Sequence, residues 1–189
     1  GNLLIKIAGH VVAARIRQAQ HDASSALEYI QRAAADIHNS SPTWTWLTVP
    51  NVAALACLWL KQGQIAASEQ LVNSFQFDGQ PGFVIEGQKV AQARLMMAQN
   101  HVRDALDLLQ PLAAAAEASG RTGSLIEISL LQAISCQNLG QLEDAMSAFS
   151  RSLELARPSK YVRLFLDEGL ATAPLIEQAI RRGISTEYA

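Results

Sequence analysis

The chain has 189 residues, of which 49% are hydrophobic and 17% charged, with a formal net charge of −2. This balance argues against a nucleic-acid-binding surface, because such domains usually carry a clustered excess of Lys and Arg. Cys57 and Cys136 both lie in apolar runs, which is not the pattern of a disulfide scaffold and indicates a reduced, cytoplasmic setting. The longest apolar run, 52–60, is about half of the roughly 20 residues that cross a membrane, so no membrane contact is expected.

Helical periodicity predicts eight helices that follow one another in pairs. Their predicted bounds are 3–18, 22–37, 44–63, 64–75, 83–99, 102–119, 122–139 and 142–156. Segment 78–82 gives the strongest loop signal, and we interpret it as a loop between hairpins rather than a domain boundary. Pro111 lies inside the sixth helix, where its missing N–H is expected to kink or interrupt it.

Two shorter helices are predicted after Pro158. Ser159 is expected to cap the first, which continues to Glu168 and stops at Gly169, and the second covers about 172–182. They lack the repeating feature described next. We expect them to form a cap over the last apolar face of a helical array.

Four successive segments share a small residue and a second small residue twelve positions later. The pairs are Ala14 and Ala26, Ala56 and Ser68, Ala93 and Ala105, and Ala133 and Ala145. The intervals between first members are 42, 37 and 40 residues, a period typical of helical repeats. Small side chains allow two helices to approach to about 8 Å, so each pair is expected to mark the crossing of a hairpin.

The fourth segment resembles the tetratricopeptide pattern, with Gly140 at the turn, Ala145, Phe149 one helical turn later, and a closing Pro158. The corresponding residues in the earlier segments are His21, Ala26 and Ile30, then Gly63, Ser68 and Val72, then Asn100, Ala105 and Leu109. The first-helix signature of that family is missing. The predicted fold is therefore an all-α, tetratricopeptide-like superhelix. Its hairpins cover about 1–39, 42–80, 83–119 and 122–158, which form one domain with a cap at 159–189.

Segment 156–169, Ala-Arg-Pro-Ser-Lys-Tyr-Val-Arg-Leu-Phe-Leu-Asp-Glu-Gly, with 174–176 after it, resembles a stretch of the MalT-like, large ATP-binding regulators of the LuxR family. There it closes a helical-repeat domain. The resemblance implies that the chain is part of a larger bacterial transcriptional regulator, with an ATPase domain before it and a helix-turn-helix domain after it. No G-x-x-x-x-G-K-[ST] motif is present, so ATP and DNA are expected to bind in other domains and this fragment to hold no cofactor.

From the residues alone, the same segment has a simpler interpretation. Tyr161, Leu164, Phe165 and Glu168 form one helical stripe suited to packing, and the pair Arg163 and Asp167 is spaced for an ion pair.

No pattern of catalysis or metal binding is visible. The four histidines have no metal-ligand spacing, and neither cysteine has an activating motif. Glu143 and Asp144 open a helix, where they are expected to complement its dipole. Trp59 is expected in the core, and Trp44 and Trp46 are expected to pack between repeats rather than stack on a sugar. We expect no enzymatic activity.

Binding has some support. In a helical-repeat superhelix the first helices line a concave surface, and the residues after the four alanines are Arg15, Cys57, Arg94 and Ile134. Three positions farther stand Gln18, Leu60, Met97 and Gln137. We call these eight positions the first-helix row. Its candidate binding residues are Arg15, Gln18, Arg94, Met97 and Gln137, because guanidinium and amide groups suit a small polar effector or a peptide. Solvated side chains on exposed helix faces are the alternative.

The leading hypothesis is an effector-sensing and protein-interaction domain that couples binding to DNA-binding activity, and to possible self-association, of a full-length regulator. The alternative is a tetratricopeptide-type interaction scaffold unconnected to transcription. A phosphate-loop ATPase before the segment and a helix-turn-helix after it would distinguish the two.

Overall fold

The computed structural model of the protein describes residues 3–39, 45–74 and 82–184, without the side chains of 45–49 and 83. In these residues the chain forms helices and turns and no strand, which confirms the predicted all-α class. The helices are α1 Leu3–Ala19, α2 Ala23–His38, α3 Thr45–Lys61, α4 Ile65–Asn73, α5 Gly82–Ala98, α6 Val102–Ala118, α7 Thr122–Asn138, α8 Leu142–Ala156, α9 Val162–Glu168 and α10 Ala173–Arg181. The observed ends of α1–α8 agree with the predicted ends to within two residues.

The four predicted turn positions share one backbone conformation. His21, Gly63, Asn100 and Gly140 have φ values of 59°, 71°, 65° and 74°, in the left-handed region. After three of these turns, the N–H of the next residue donates to a carbonyl five residues back: Asp22 to Arg17 at 3.0 Å, Gln64 to Trp59 at 2.9 Å, and Gln141 to Cys136 at 2.9 Å. This is the Schellman motif, which satisfies the last carbonyls of a helix. The four positions therefore share one backbone conformation, as expected of equivalent positions in successive repeats.

The chain divides into two compact units, 1–99 and 100–189. In the first unit, α1 packs on α2, and α3 contacts α1, α2, α4 and α5. One apolar cluster joins α1, α2 and α3 through residues that include Ile7, Ile30 and Leu55. A second cluster joins α3, α4 and α5 through Ala56, Val72, Ala91 and Leu95. The first helices of successive repeats thus lie side by side, as expected for a helical-repeat array.

In the second unit, α7 packs against both α6 and α8, and α10 contacts α7 and α8. Phe149 of α8 is fully buried and meets Phe165 of α9 edge to face, with ring centroids 6.0 Å apart. Leu175 and Ala179 bury the inner face of α10. The aromatic residue of the repeat pattern therefore anchors the short helices that follow the fourth repeat.

The expected interruption of α6 and the expected cap of α9 are both wrong. Pro111 does not interrupt α6, which is continuous from Val102 to Ala118, while a kink at Pro111 stays a prediction. Pro111 itself is exposed while Leu109 and Leu112 on either side are buried, so packing holds the helix together despite the lost donor.

The second wrong expectation is the start of α9. Ser159 does not cap it, because 157–159 form a 3-10 turn. Lys160 then takes a left-handed φ of 53°, and the N–H of Tyr161 donates to the carbonyl of Ala156 at 3.2 Å. This Schellman-type closure ends α8 and delays α9 until Val162.

Candidate functional site

The repeated small residues lie in the interior of the hairpins. Ala14, Ala26, Ala56, Ser68, Ala93, Ala105, Ala133 and Ala145 are all buried. The Ser68 hydroxyl donates to the backbone carbonyl of Ala56, 3.1 Å away on the facing helix. A side chain can reach the backbone of the opposite helix only where the two helices approach closely, so the pair marks a tight crossing.

The residue after each of these first small residues has a different environment in each repeat. Arg15 is exposed on α1, Cys57 and Arg94 are half-buried on α3 and α5, and Ile134 is buried on α7. Ile134 therefore contributes to a core, not to a binding surface. The Nε atom of Arg94 is itself buried.

The residues three positions farther are more uniform. Gln18, Leu60, Met97 and Gln137 are all half-buried, and Leu60 packs against the cluster between the second and third repeats. In the first unit, α3 lies between α1, which carries Arg15 and Gln18, and α5, which carries Arg94 and Met97. Gln137 lies on α7 of the second unit. Whether any of these residues binds a ligand stays a prediction.

The other groups considered for chemistry are the Cys136 thiol and the side chains that can bind a metal ion. Burial raises the pKa of the Cys136 thiol, and the negative charge of Asp144 raises it further. This thiol is protonated at neutral pH and is a poor nucleophile, since the thiolate is the reactive form. In the part of the chain that the structure describes, no three His, Cys, Asp or Glu residues are grouped to hold a metal ion.

An ion pair that the sequence did not indicate links the residue directly after α10 to α8. The guanidinium of Arg182 donates from Nη1 and Nη2 to the two carboxylate oxygens of Glu143, both at 3.0 Å. These hydrogen bonds and the charge of Arg182 lower the pKa of Glu143. The two residues are far apart in sequence, so no local pattern could have found the pair. The predicted pair within α9 is also present, with Arg163 Nε 2.7 Å from Asp167 Oδ1.

Two of the three expectations for the tryptophans cannot be compared with the structure. Trp44 and the side chain of Trp46 lie outside the described residues. Trp59 is half-buried and packs against the apolar cluster of α1, α2 and α3, as its expected core role requires.

The MalT-like TPR region, a tetratricopeptide-type family, matches the chain over residues 2–182. The chain belongs to this family. The match confirms the resemblance suggested by segment 156–169. Comparisons with curated proteins and with solved structures gave no match.

The family match extends beyond the fourth repeat. The MalT-like TPR region includes both short helices after the fourth repeat, because the match continues through α9 and α10. No helix in the described ranges 3–39, 45–74 and 82–184 has the length and apolar character needed to cross a membrane.

Proposed function

We propose that this MalT-like TPR region is the effector-sensing and protein-interaction domain of a LuxR-family transcriptional regulator, and that binding to it promotes DNA binding by the full-length protein. The observation that carries the proposal is the side-by-side packing of α1, α3 and α5 within a chain of this family. Such packing presents one aligned row of residues from successive repeats to a single ligand. In this proposal ATP and DNA bind in other domains, in the cytoplasm.

The chemistry of the row favours an anionic or hydroxyl-rich ligand. Arg15 is exposed, and a guanidinium offers a planar set of donors to carboxylate or phosphate groups. Gln18 stands one helical turn away from it and offers an amide, which can bind hydroxyl groups. Met97, half-buried on α5, supplies an adaptable apolar surface. A small polar effector and a short acidic peptide both fit this set.

Binding would regulate the parent protein only through a difference in affinity. A ligand that binds the resting and active conformations equally leaves their populations unchanged. A ligand that prefers one conformation raises the population of that conformation. The row spans several repeats, so a ligand that contacts both α1 and α5 would favour one spacing of these helices. The active form, in this proposal, is the one that self-associates and binds DNA.

Thermal unfolding of the chain with a panel of sugars, amino acids, nucleotides and acidic peptides tests the proposal. A ligand at 100 times its Kd stabilises by about 2.7 kcal/mol, which corresponds to a rise in Tm of roughly 5–10 °C for a domain of this size. We expect Arg15→Ala and Arg94→Ala to abolish the rise.

Arg17→Ala is the matched control, because Arg17 is exposed on the same helix two residues farther, outside the row. A ligand whose effect survives both row variants would place binding elsewhere. If only peptides raise the Tm, and the parent polypeptide lacks ATPase and helix-turn-helix domains, the chain is a tetratricopeptide-type scaffold unconnected to transcription.

A further inference from the structure

The segment after the fourth repeat carries a group of exposed apolar side chains. Val162 and Leu166 lie one helical turn apart on α9 and are 49% and 66% exposed. Leu170, in the 3-10 turn 169–171 directly after α9, is 91% exposed. We call these three residues the α9 patch. Single exposed apolar residues are ordinary, but three large aliphatic side chains so close in the chain are a candidate contact surface.

The backbone beneath the α9 patch is fixed by other residues. Phe165 is buried and packs edge to face on Phe149 of α8, which holds α9 against the fourth repeat. The hydroxyl of Thr172, itself buried, donates to the carbonyls of Phe165 at 3.3 Å and Gly169 at 2.8 Å. These bonds fix the end of α9 and the turn that carries Leu170. The patch is therefore presented in a defined arrangement, which lowers the entropy cost of binding to it.

The charge beside the patch is mainly positive. Residues 157–184 contain five Lys and Arg against three Asp and Glu, although the whole chain has a net charge of −2. Arg163 pairs with Asp167, and the side chain of Arg163 is 56% exposed while that of Asp167 is only 21% exposed. Lys160, in the left-handed turn before α9, is exposed as well. Electrostatic complementarity therefore favours an acidic partner.

We propose that the α9 patch binds an amphipathic helix of a partner protein, with apolar residues one helical turn apart against the patch and Asp or Glu at its edges. Such a helix would bury the patch and place its carboxylates near Lys160 and Arg163. An anionic membrane fits less well, because its headgroups would also repel Asp167 and Glu168 in the same segment. The proposal is independent of the proposed function, whose arginines lie in the first unit.

A designed peptide provides the probe. It has about 18 residues, or five helical turns, with Leu at helical spacing on one face and Glu on the flanking positions. A fluorescent label on the peptide reports binding to the chain by fluorescence anisotropy. One control peptide has Lys in place of every Glu, and a second has Ser in place of every Leu. We expect the acidic peptide to bind on the order of 10-fold more tightly than either control.

Substitutions in the chain locate the binding surface. Leu166→Asp and Leu170→Asp should each raise the Kd of the acidic peptide by about 10-fold or more, because each removes an apolar contact and adds a repelling charge. Since Leu170 is exposed, its replacement should leave the circular dichroism and the Tm of the chain unchanged. Ile65→Asp is the matched control, an exposed apolar residue on α4 of the first unit, and should leave the Kd unchanged. Arg15→Ala should also leave it unchanged.

An acidic peptide that does not bind, or that binds the Leu170→Asp variant as tightly as the original chain, would overturn the proposal. Loss of binding in Arg15→Ala but not in Leu170→Asp would place the peptide on the first-helix row, which overturns this proposal and supports the proposed function. Vesicles of phosphatidylcholine and phosphatidylglycerol test the membrane. Vesicle binding that Leu170→Asp abolishes, without peptide binding, would identify a lipid surface instead. Dimerisation in sedimentation that Leu170→Asp abolishes would identify a second copy, which also contradicts the proposal.

Discussion

At the scale of single residues, the turn positions show how one backbone requirement is met by different amino acids. Gly63 and Gly140 take the left-handed conformation without steric cost, and Asn100 tolerates it through its short polar side chain. His21 has neither advantage, although its φ is 59°. We therefore expect the first turn to be the most strained of the four, and its residue gave little sequence signal.

We expect His21→Gly to stabilise the chain by about 0.5–1 kcal/mol, because relief of the left-handed strain exceeds the entropy that glycine loses on folding. Gly140→Ala is the matched opposite change and should destabilise by about 1 kcal/mol. A Cβ at Gly140 would meet no atom within 4 Å, so that cost would come from the backbone alone. Urea denaturation measures both. A destabilised His21→Gly would show that the imidazole makes a compensating interaction.

At the scale of helices, the crossing of α3 and α4 explains why a small residue recurs. Ser68 is fully buried and close enough to α3 to donate to the Ala56 carbonyl. The same position holds alanine in the other three repeats. The limited space at the crossing, more than the hydrogen bond, therefore explains why the residue is small.

Ser68→Val should therefore destabilise the chain by about 1–3 kcal/mol, through overpacking of the crossing. Ser68→Ala should cost only about 1 kcal/mol, the net value of one hydrogen bond. Ala66→Val is the control for helix propensity, since Ala66 is exposed on the same helix, and should cost about 0.5 kcal/mol. Chemical denaturation of the three variants orders them. Equal losses for both changes at Ser68 would refute close packing as the reason for the small residue.

At the scale of the whole molecule, equivalent sequence positions in different repeats lie in different environments. Leu58 and Ile16 occupy the same register position on α3 and α1, yet Leu58 is buried in the cluster with α1 and α2 while Ile16 is exposed. The difference depends on whether a hairpin packs on the preceding side, and not on the residue itself.

Leu58→Ala should destabilise the chain by about 2–5 kcal/mol, since it leaves a cavity in a packed cluster. Ile16→Ala should change the stability by no more than about 0.5 kcal/mol, because it removes exposed atoms. Guanidinium denaturation at one protein concentration compares them directly. A large loss for Ile16→Ala would show that the side chain is already covered in the isolated chain.

Much of the array could be predicted from the sequence because its signals are local. Hydrophobic periodicity and turn residues predicted the bounds of α1–α8 closely, and the alanine spacing predicted which positions are equivalent. The errors arose where packing and the neighbouring backbone overrode local sequence rules. Pro111 lies in an unbroken helix because Leu109 and Leu112 are buried beside it, and Ser159 is not a cap because Lys160 closes the preceding helix.

The candidate site was harder to predict from the sequence than the helices were. Counting from the alanines selected Arg15, which is exposed, but the same count included Ile134, which is buried. The sequence by itself determined the helices, the turns and the repeat register, since these follow from interactions within one or two helical turns. Only the tertiary structure decided which face of each helix is covered and that Arg182 binds Glu143, because both depend on residues brought together from distant parts of the chain.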